Sequence, residues 1–367
     1  MFDIDVFVLG GGPAGLAAAI AARTAGFRVL LADAGQPPID KACGEGLMPD
    51  ALAAAARLGV RVVPDDGHLF RGIRFHADNH SASSDFPNGA GIGVRRTVLQ
   101  RLLIERAQEV GVDLCWAHTV TSLQGHSIQM GSSTVNARWI VGADGTQSCL
   151  RRWAGLQQFR RKVERFSYRR HYRVAPWSEY MEIHWGKGCQ FYVTPVSSTE
   201  ICLVLMSRRS HLRIKDALPQ FPLLQERLKH CEATTTERGA LAATRRLRRV
   251  TRRNVALVGD ASGTIDPITG EGLCLAFTQA NALADALTRE DLASYEAAHA
   301  GISRRPRFMS DFMLLMDKSQ TLQARTLKSF ESSPHLFPNL LAMHVGQLRP
   351  SSSVATVAAL GWRIATA

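Results

Sequence analysis

Asp5-Val6-Phe7-Val8-Leu9, then Gly10-Gly11-Gly12-Pro13-Ala14-Gly15, then an alanine-rich run to Ala25 ended by Gly26, then Val29-Leu30-Leu31-Ala32-Asp33 is the stretch that decides the fold. Its outer pieces are short apolar runs of strand type and the alanine-rich run is helical, so the chain opens with strand, tight turn, helix and strand. The turn spells GxGxxG over Gly10, Gly12 and Gly15, and an acid, Asp33, stands eighteen residues beyond Gly15. In a βαβ unit that spacing reads as a dinucleotide site. Gly10 permits the turn, Gly12 lets backbone approach a pyrophosphate, and Gly15 allows close helix–strand packing. The helix N-terminus at Pro13 and Ala14 offers free N–H groups and a positive dipole end, and Asp33 is placed to accept hydrogen bonds from a ribose diol. Glycine turns also serve packing alone; strand, turn, helix, strand and acid in one unit favour the nucleotide.

Outward from this unit, Gly35 to Pro49 is loop-like, with Lys41-Ala42-Cys43-Gly44-Glu45-Gly46-Leu47 at its end, before a helix expected over Asp50 to Leu58. Short strands are expected near 71–94, a helix from Arg96 to Glu109, and strands over 113–124 and 127–141, the last running into Gly142-Ala143-Asp144-Gly145. Residues 166–206 alternate as strands do, Met181, Ile183 and Trp185 against Tyr180, Glu182 and His184, which predicts a second, antiparallel sheet. Asn254 to Val258 reads as another buried strand, and from Gly270 the pattern is helical, interrupted near Pro334 and Pro350.

The chain has 367 residues, a prior of about two domains, and its 46% apolar and 21% charged residues exclude disorder and a disulfide scaffold. A net charge of +12 predicts a surface that attracts anions without choosing among them. Seven cysteines, an odd number with no CxxC pair, argue against a zinc ribbon or a fully paired disulfide set and fit a reducing cytoplasm. No apolar run of 18 residues and no basic segment ahead of an apolar core occurs at the N-terminus, so neither a membrane span nor an export signal is expected.

Three separated signatures stand in order: Gly10–Gly15; Gly142-Ala143-Asp144-Gly145; and Gly259-Asp260-Ala261-Ser262-Gly263-Thr264-Ile265-Asp266-Pro267-Ile268-Thr269-Gly270-Glu271-Gly272-Leu273. As a set, spanning about residues 1–290, they resemble the single-component FAD-dependent monooxygenases and their geranylgeranyl-reductase-like relatives. The resemblance implies FAD, a Rossmann-like α/β FAD-binding domain with an inserted mixed β-sheet substrate domain, and C-terminal helices. The expected division is 1–70, 96–165 and 240–300 for the FAD-binding domain, 71–95 and 166–239 for the substrate domain, and 301–367 for the helices. It implies Gly10, Gly12, Pro13, Ala14 and Gly15 at the pyrophosphate, Asp33 at the adenosine ribose, and Arg96 near the flavin. Asp144 and Gly145 would stand beside FAD and NAD(P)H, Gly259 and Asp260 at the ribityl-pyrophosphate region, and Pro267, Gly270, Gly272 and Leu273 against the isoalloxazine. Glycines 270 and 272 before a helix would aim N–H donors at the flavin's N1/C2 carbonyl edge.

Two features depart from the aromatic hydroxylases of this group. Ser262 and Gly263 replace the histidine expected after Gly259-Asp260-Ala261, and the Asp266-Pro267-x-Thr269-Gly270-Glu271-Gly272 spelling is closer to the geranylgeranyl-reductase-like branch. The Cys43-Gly44-Glu45-Gly46-Leu47 loop also resembles that branch. The Trp-x-Trp-x-Ile-Pro stretch of flavin-dependent halogenases is absent.

The leading expectation is an NAD(P)H-driven, FAD-dependent monooxygenase using molecular oxygen on an apolar or aromatic small molecule. The alternative is a reductase or dehydrogenase of a lipid-like carbon–carbon double bond; a third is a flavoprotein that modifies a residue of a partner protein. Cys43, Glu45 and Pro267 are the candidate catalytic residues, and Glu271 is a further candidate for proton transfer. No metal site is expected. Each of His171, Tyr172, Tyr180, His184, Trp185 and Tyr192 lies on the second sheet, of which only one face can reach a ligand. The basic clusters Arg151-Arg152, Arg160-Arg161-Lys162 and Arg245 to Arg253 are a candidate docking face for NADPH, a carrier protein or the inner membrane surface, with a solvated basic face as the plainer reading. They lack the interleaved aromatics of nucleic-acid binders, so nucleic acid is discounted.

Overall fold

The computed structural model describes residues 1–77 and 80–366, with the side chains of 161–163, 242, 243, 350 and 366 outside the described set. The opening unit forms as its pattern dictates. Ile4–Leu9 is buried on both faces, as a central parallel strand must be, and pairs parallel with Val29–Asp33 on one side and Ser133–Gly142 on the other. Val255–Leu257 and Asp113–Trp116 extend this sheet in parallel at opposite ends. The chain thus leaves the central strand in two directions, the switch point at which open α/β sheets bind ligands beyond the carboxyl ends of their strands.

Helix Pro13–Thr24 follows the first strand with Pro13 at its first position, where a missing N–H costs nothing. Its alanines let it lie against the sheet and beside helix Gly272–Thr288. Gly15 is set by this closeness: a Cβ there would fall 1.8 Å from the Gly10 carbonyl oxygen. Gly10 itself has a positive φ of 114° and lies against the Ala143 carbonyl.

The second sheet runs in the order Glu232–Ala233, Phe159–Arg173, Glu200–Ser207, Cys189–Ser197, Tyr180–Gly186, Gly72–Ala77, His80–Asp85, with Arg238–Leu247 also on Phe159–Arg173. It is antiparallel except where Tyr180–Gly186 meets Gly72–Ala77. Two of its strands cross the domain boundaries expected from the sequence: Phe159–Arg173 and Arg238–Leu247 pair with each other from Phe159 to Arg169, carrying the sheet past 165/166 and 239/240. A small third sheet joins Gly46–Leu47, His68–Phe70 and Gly91–Gly93, which ties the cysteine loop to the segment before helix Arg96–Glu109.

Strand alternation gives the second sheet two different faces. One, with Ile73, Phe75, Met181, Ile183, Trp185, Tyr192 and Val204, packs under the C-terminal helices Arg304–Met316, Gln320–Ser332, Leu336–His344 and Pro350–Thr366. Seven of the nine methionines of the chain lie in this core. The other face, with Phe191, Leu203 and Leu205, packs on Ile214 and Leu224 of short helices and on Phe221 between them.

A buried ionic node joins the layers: Arg165 meets Asp266 at 3.3 Å and Asp317 at 3.6 Å, all three almost fully buried. Asp266 also accepts from the Ile268 N–H, fixing the turn Pro267–Thr269, and Asp317, just past helix Arg304–Met316, accepts from Gln190 at 2.6 Å. No helix of the described residues is long and apolar enough to cross a membrane, and all seven cysteines are free thiols.

Of the basic clusters, Arg151 and Arg245 point inward and hold the Thr146 carbonyl, while Arg152, Arg246, Arg248, Arg249, Arg252 and Arg253 are exposed. The side chains of Arg161 and Lys162 lie outside the described residues.

Candidate cofactor cleft and adjoining apolar slot

The carboxyl ends of the parallel strands open into a cleft of about 590 Å³ under the second sheet. Its floor is the glycine turn. Gly12, Pro13 and Ala14 line it, Asp33 flanks it, and the Arg96 side chain lies over Gly12. Asp33 accepts from Gly11 N–H at 2.6 Å and Gly35 N–H at 2.7 Å, so its carboxylate braces the turn while still facing the cleft. Gly15 does not line the cleft; it packs inward against Gly10.

Across the floor, Asp144 and Gly145 follow the strand Ser133–Gly142. Asp144 accepts from the N–H groups of Cys149 and Leu150, which ties it to the next helix. Gly259 and Asp260 follow Val255–Leu257, and Thr146 donates to Asp260 at 3.3 Å. Pro267, Gly270, Gly272 and Leu273 form the far wall, where Gly270 takes a left-handed φ of 72° and helix Gly272–Thr288 begins. A Cβ at Gly145, Gly270 or Gly272 would meet no protein atom within 4 Å.

This donor set fits a dinucleotide. The Arg96 Nε and the Asp144 Oδ1 are buried and have no hydrogen-bond partner, one a cationic donor and the other an acceptor on the cleft wall. Two cations, Lys41 and Arg96, face one glycine-rich helix start, the electrostatics of a pyrophosphate seat. The residues that could hold FAD are therefore those of the three signatures, with Gly15 acting through packing.

The cysteine loop reaches over the cleft. Cys43 is half-buried and lines it, and its sulfur accepts from Glu45 N–H at 3.4 Å. Glu45 has a left-handed φ of 59°, costly for a residue with a side chain, and the surroundings hold it there. One carboxylate oxygen accepts from Arg96 N–H at 3.0 Å and the other lies 2.6 Å from His171 Nε2. Both oxygens are engaged by the protein, so Glu45 braces the loop, and with Cys43 and Pro267 it lines the cleft. Replacing Cys43 by Ala is expected to leave FAD affinity within about threefold of wild type, worth about 0.7 kcal/mol or less, and to lower turnover at least tenfold. Steady-state rates on the two FAD-loaded proteins check this, and equal rates would make Cys43 a packing residue.

The roof comes from the second sheet, through Ser167, Met181, Tyr192, Thr194, Val204 and Met206. Of the six sheet residues singled out in the sequence, Tyr192 alone lines the cleft. His171 is buried behind the loop; Trp185 stacks on Phe75 at 4.7 Å under the C-terminal helices. Tyr172 and His184 belong to the opposite face, and Tyr180 donates to Asp85. On that opposite face Glu182 gathers Trp177, His184 and His76. Despite its burial, hydrogen bonds from His184 and Trp177, with the His76 imidazole 3.6 Å away, hold its carboxyl far below the usual range. Arg74 and Arg227 also stand within 3.7 Å of it, a setting that repels a metal cation.

A second, apolar slot of about 40 Å³ adjoins the cleft, sharing Met181 and Tyr192 with it. Ile73, Phe75, Met309, Met313, Phe337 and Leu340 line it between the sheet and the C-terminal helices. No local pattern marks this slot, since its walls come from strands near residues 73–75 and 181–192 and from helices near 309–344.

Residues 3–294 match the family model described as FAD binding domain. The chain is 28% identical to menaquinone reductase of Mycobacterium tuberculosis over 322 residues, 79% of this chain and 78% of that protein. It is 28% identical to digeranylgeranylglycerophospholipid reductase 2 of Methanopyrus kandleri over 300 residues, 74% of this chain and 73% of that one. Among solved structures, a flavoprotein/dehydrogenase from Cytophaga hutchinsonii superposes with a TM-score of 0.80 at 18% identity, over 94% of this chain and 92% of that one; this shows the fold.

Proposed function

The chain belongs to the FAD binding domain family, is an FAD-dependent oxidoreductase, and from that premise we propose that it reduces a carbon–carbon double bond or a quinone ring of an isoprenoid-like lipid, with NAD(P)H as reductant. The observation that supports this reading is the apolar slot that adjoins the cleft at Met181 and Tyr192. A long, mostly apolar substrate with an uncharged oxygen function matches a slot walled by methionine, leucine and phenylalanine beside the cofactor cleft. Methionine has three rotatable side-chain bonds and adapts to irregular shapes, so Met309 and Met313 can give way to a chain that the closed slot of about 40 Å³ does not yet admit.

The sequence alone favoured oxygen transfer. Reduction is favoured by two similar proteins that carry reductase names and align over about three-quarters of the chain. FAD, when bound, supplies the electron-carrying ring. The residues of this chain would do the rest: the glycine turn and Arg96 would hold the pyrophosphate, Gly270 and Gly272 would lie beside the ring, and the roof with Met181, Val204 and Met206 would exclude water.

The test is product analysis under exclusion of oxygen. FAD-loaded protein, NADPH and either geranylgeraniol or a menaquinone with a short prenyl tail are incubated, and the lipid is weighed by mass spectrometry. A product heavier by two hydrogens is expected. A product that forms only in air and carries one added oxygen would overturn the reading in favour of monooxygenation.

A further inference from the structure

One imidazole, His344, lines the apolar slot, with Glu271 beside it. Glu271 is the residue before helix Gly272–Thr288, and its carboxyl turns away from the cleft toward the C-terminal helices. His344 Nδ1 lies 3.7 Å from one of its oxygens and Arg305 Nη2 3.7 Å from the other, both too long for hydrogen bonds. Both oxygens of Glu271 and Nδ1 of His344 are buried without a hydrogen-bond partner. Three orphaned polar atoms in one spot are rare in a folded core, where nearly every buried polar group is paired.

We propose that Glu271 and His344 form a receptor for the uncharged oxygen function, a hydroxyl or carbonyl, of the lipid that enters the slot. This rests on the reading of the slot as a lipid site. The charged groups facing the pair are Arg305, which also pairs with Asp50 at 3.2 Å, and Asp50 itself; Thr269 and Cys274 complete the surroundings. Two acids and one guanidinium do not favour an anion such as a phosphate, and the guanidinium does not favour a cation. Burial pushes the Glu271 carboxyl up to about 8 and the His344 imidazole down to about 4. Near neutral pH the pair therefore offers an O–H donor and neutral ring nitrogens, which suit a neutral oxygen that both donates and accepts.

The experiment measures binding of geranylgeraniol and of the matching C20 hydrocarbon without the hydroxyl to the FAD-loaded protein at pH 7, read by quenching of intrinsic tryptophan fluorescence. Wild type is expected to bind the alcohol at least tenfold more tightly. His344→Leu should lose this preference while keeping the hydrocarbon affinity and FAD content. Glu271→Gln, which keeps a donor and an acceptor, should retain the preference within about threefold and serves as the readout if His344→Leu does not fold. Above pH 9 the wild-type preference should fall as the Glu271 carboxyl ionises. Equal binding of alcohol and hydrocarbon by wild type would overturn the receptor while leaving the lipid slot standing. Failure of both ligands to bind would overturn the slot reading and the receptor with it.

Discussion

Replacing Gly12 by Val is expected to yield a folded protein that no longer retains FAD. A Cβ at Gly12 would meet no protein atom nearer than Arg96 Nη2, at 3.8 Å, and the backbone there has an ordinary φ of −76°. The protein itself therefore tolerates a side chain at this position. A side chain there would compete with a pyrophosphate lying on the helix start, where the glycine surface would be its seat. Thermal unfolding of the apoprotein should match wild type, and FAD affinity should fall on the order of a hundredfold or more, about 2.7 kcal/mol. Gly15→Val is the contrast: its Cβ falls within 1.8 Å of the Gly10 carbonyl, so that variant should lose fold and cofactor together. A wild-type flavin spectrum in Gly12→Val would remove the pyrophosphate from this turn.

The second large effect is expected at His171. Its ring is fully buried, with Nδ1 2.8 Å from Arg169 Nη1 and Nε2 2.6 Å from Glu45. A guanidinium only donates, so Nδ1 accepts and the proton on Nε2 points at the Glu45 carboxylate. Arg169 continues to Asp40 at 2.5 Å, and Asp40 to Arg238 at 2.9 Å, so a chain of polar contacts runs from the loop over the cleft to the surface. His171→Leu leaves a buried carboxylate short of a partner at the one residue whose left-handed backbone shapes the loop. A loss of about 3–5 kcal/mol of stability is the usual scale when one member of a buried polar pair is removed. Urea unfolding of the FAD-loaded protein should show it, together with weaker FAD retention. His171→Gln, which keeps a donor for Glu45, should recover part of both. A His171→Leu protein as stable as wild type would remove His171 from the support of the loop.

Much of the cofactor cleft was legible in the sequence because its parts are local. Each signature is a strand end followed by a loop, and parallel strands bring their carboxyl ends to one edge whatever lies between them. Hence Gly12, Asp33, Arg96, Asp144, Asp260 and Pro267, far apart in the chain, line one cleft. The roof was legible only as alternation. Met181, Ile183 and Trp185 share a face and Glu182 and His184 the other, but the period of two does not say which face turns inward. The partners of Glu45, the Arg96 N–H and the His171 ring, left no trace in the local sequence, because they come from residues 51 and 126 positions away. The slot and the Arg165–Asp266–Asp317 node join segments distant in sequence, and neither leaves a local pattern.

The most direct test of the account is a single turnover without oxygen. FAD-loaded protein, reduced photochemically under argon, is mixed rapidly with a menaquinone of short prenyl tail or with geranylgeraniol, and the flavin absorbance is followed. One of these lipids is expected to return the flavin to its oxidised spectrum, in a one-to-one ratio with reduced lipid. Flavin that stays reduced with both lipids until air is admitted, and then yields oxygenated lipid, would contradict it.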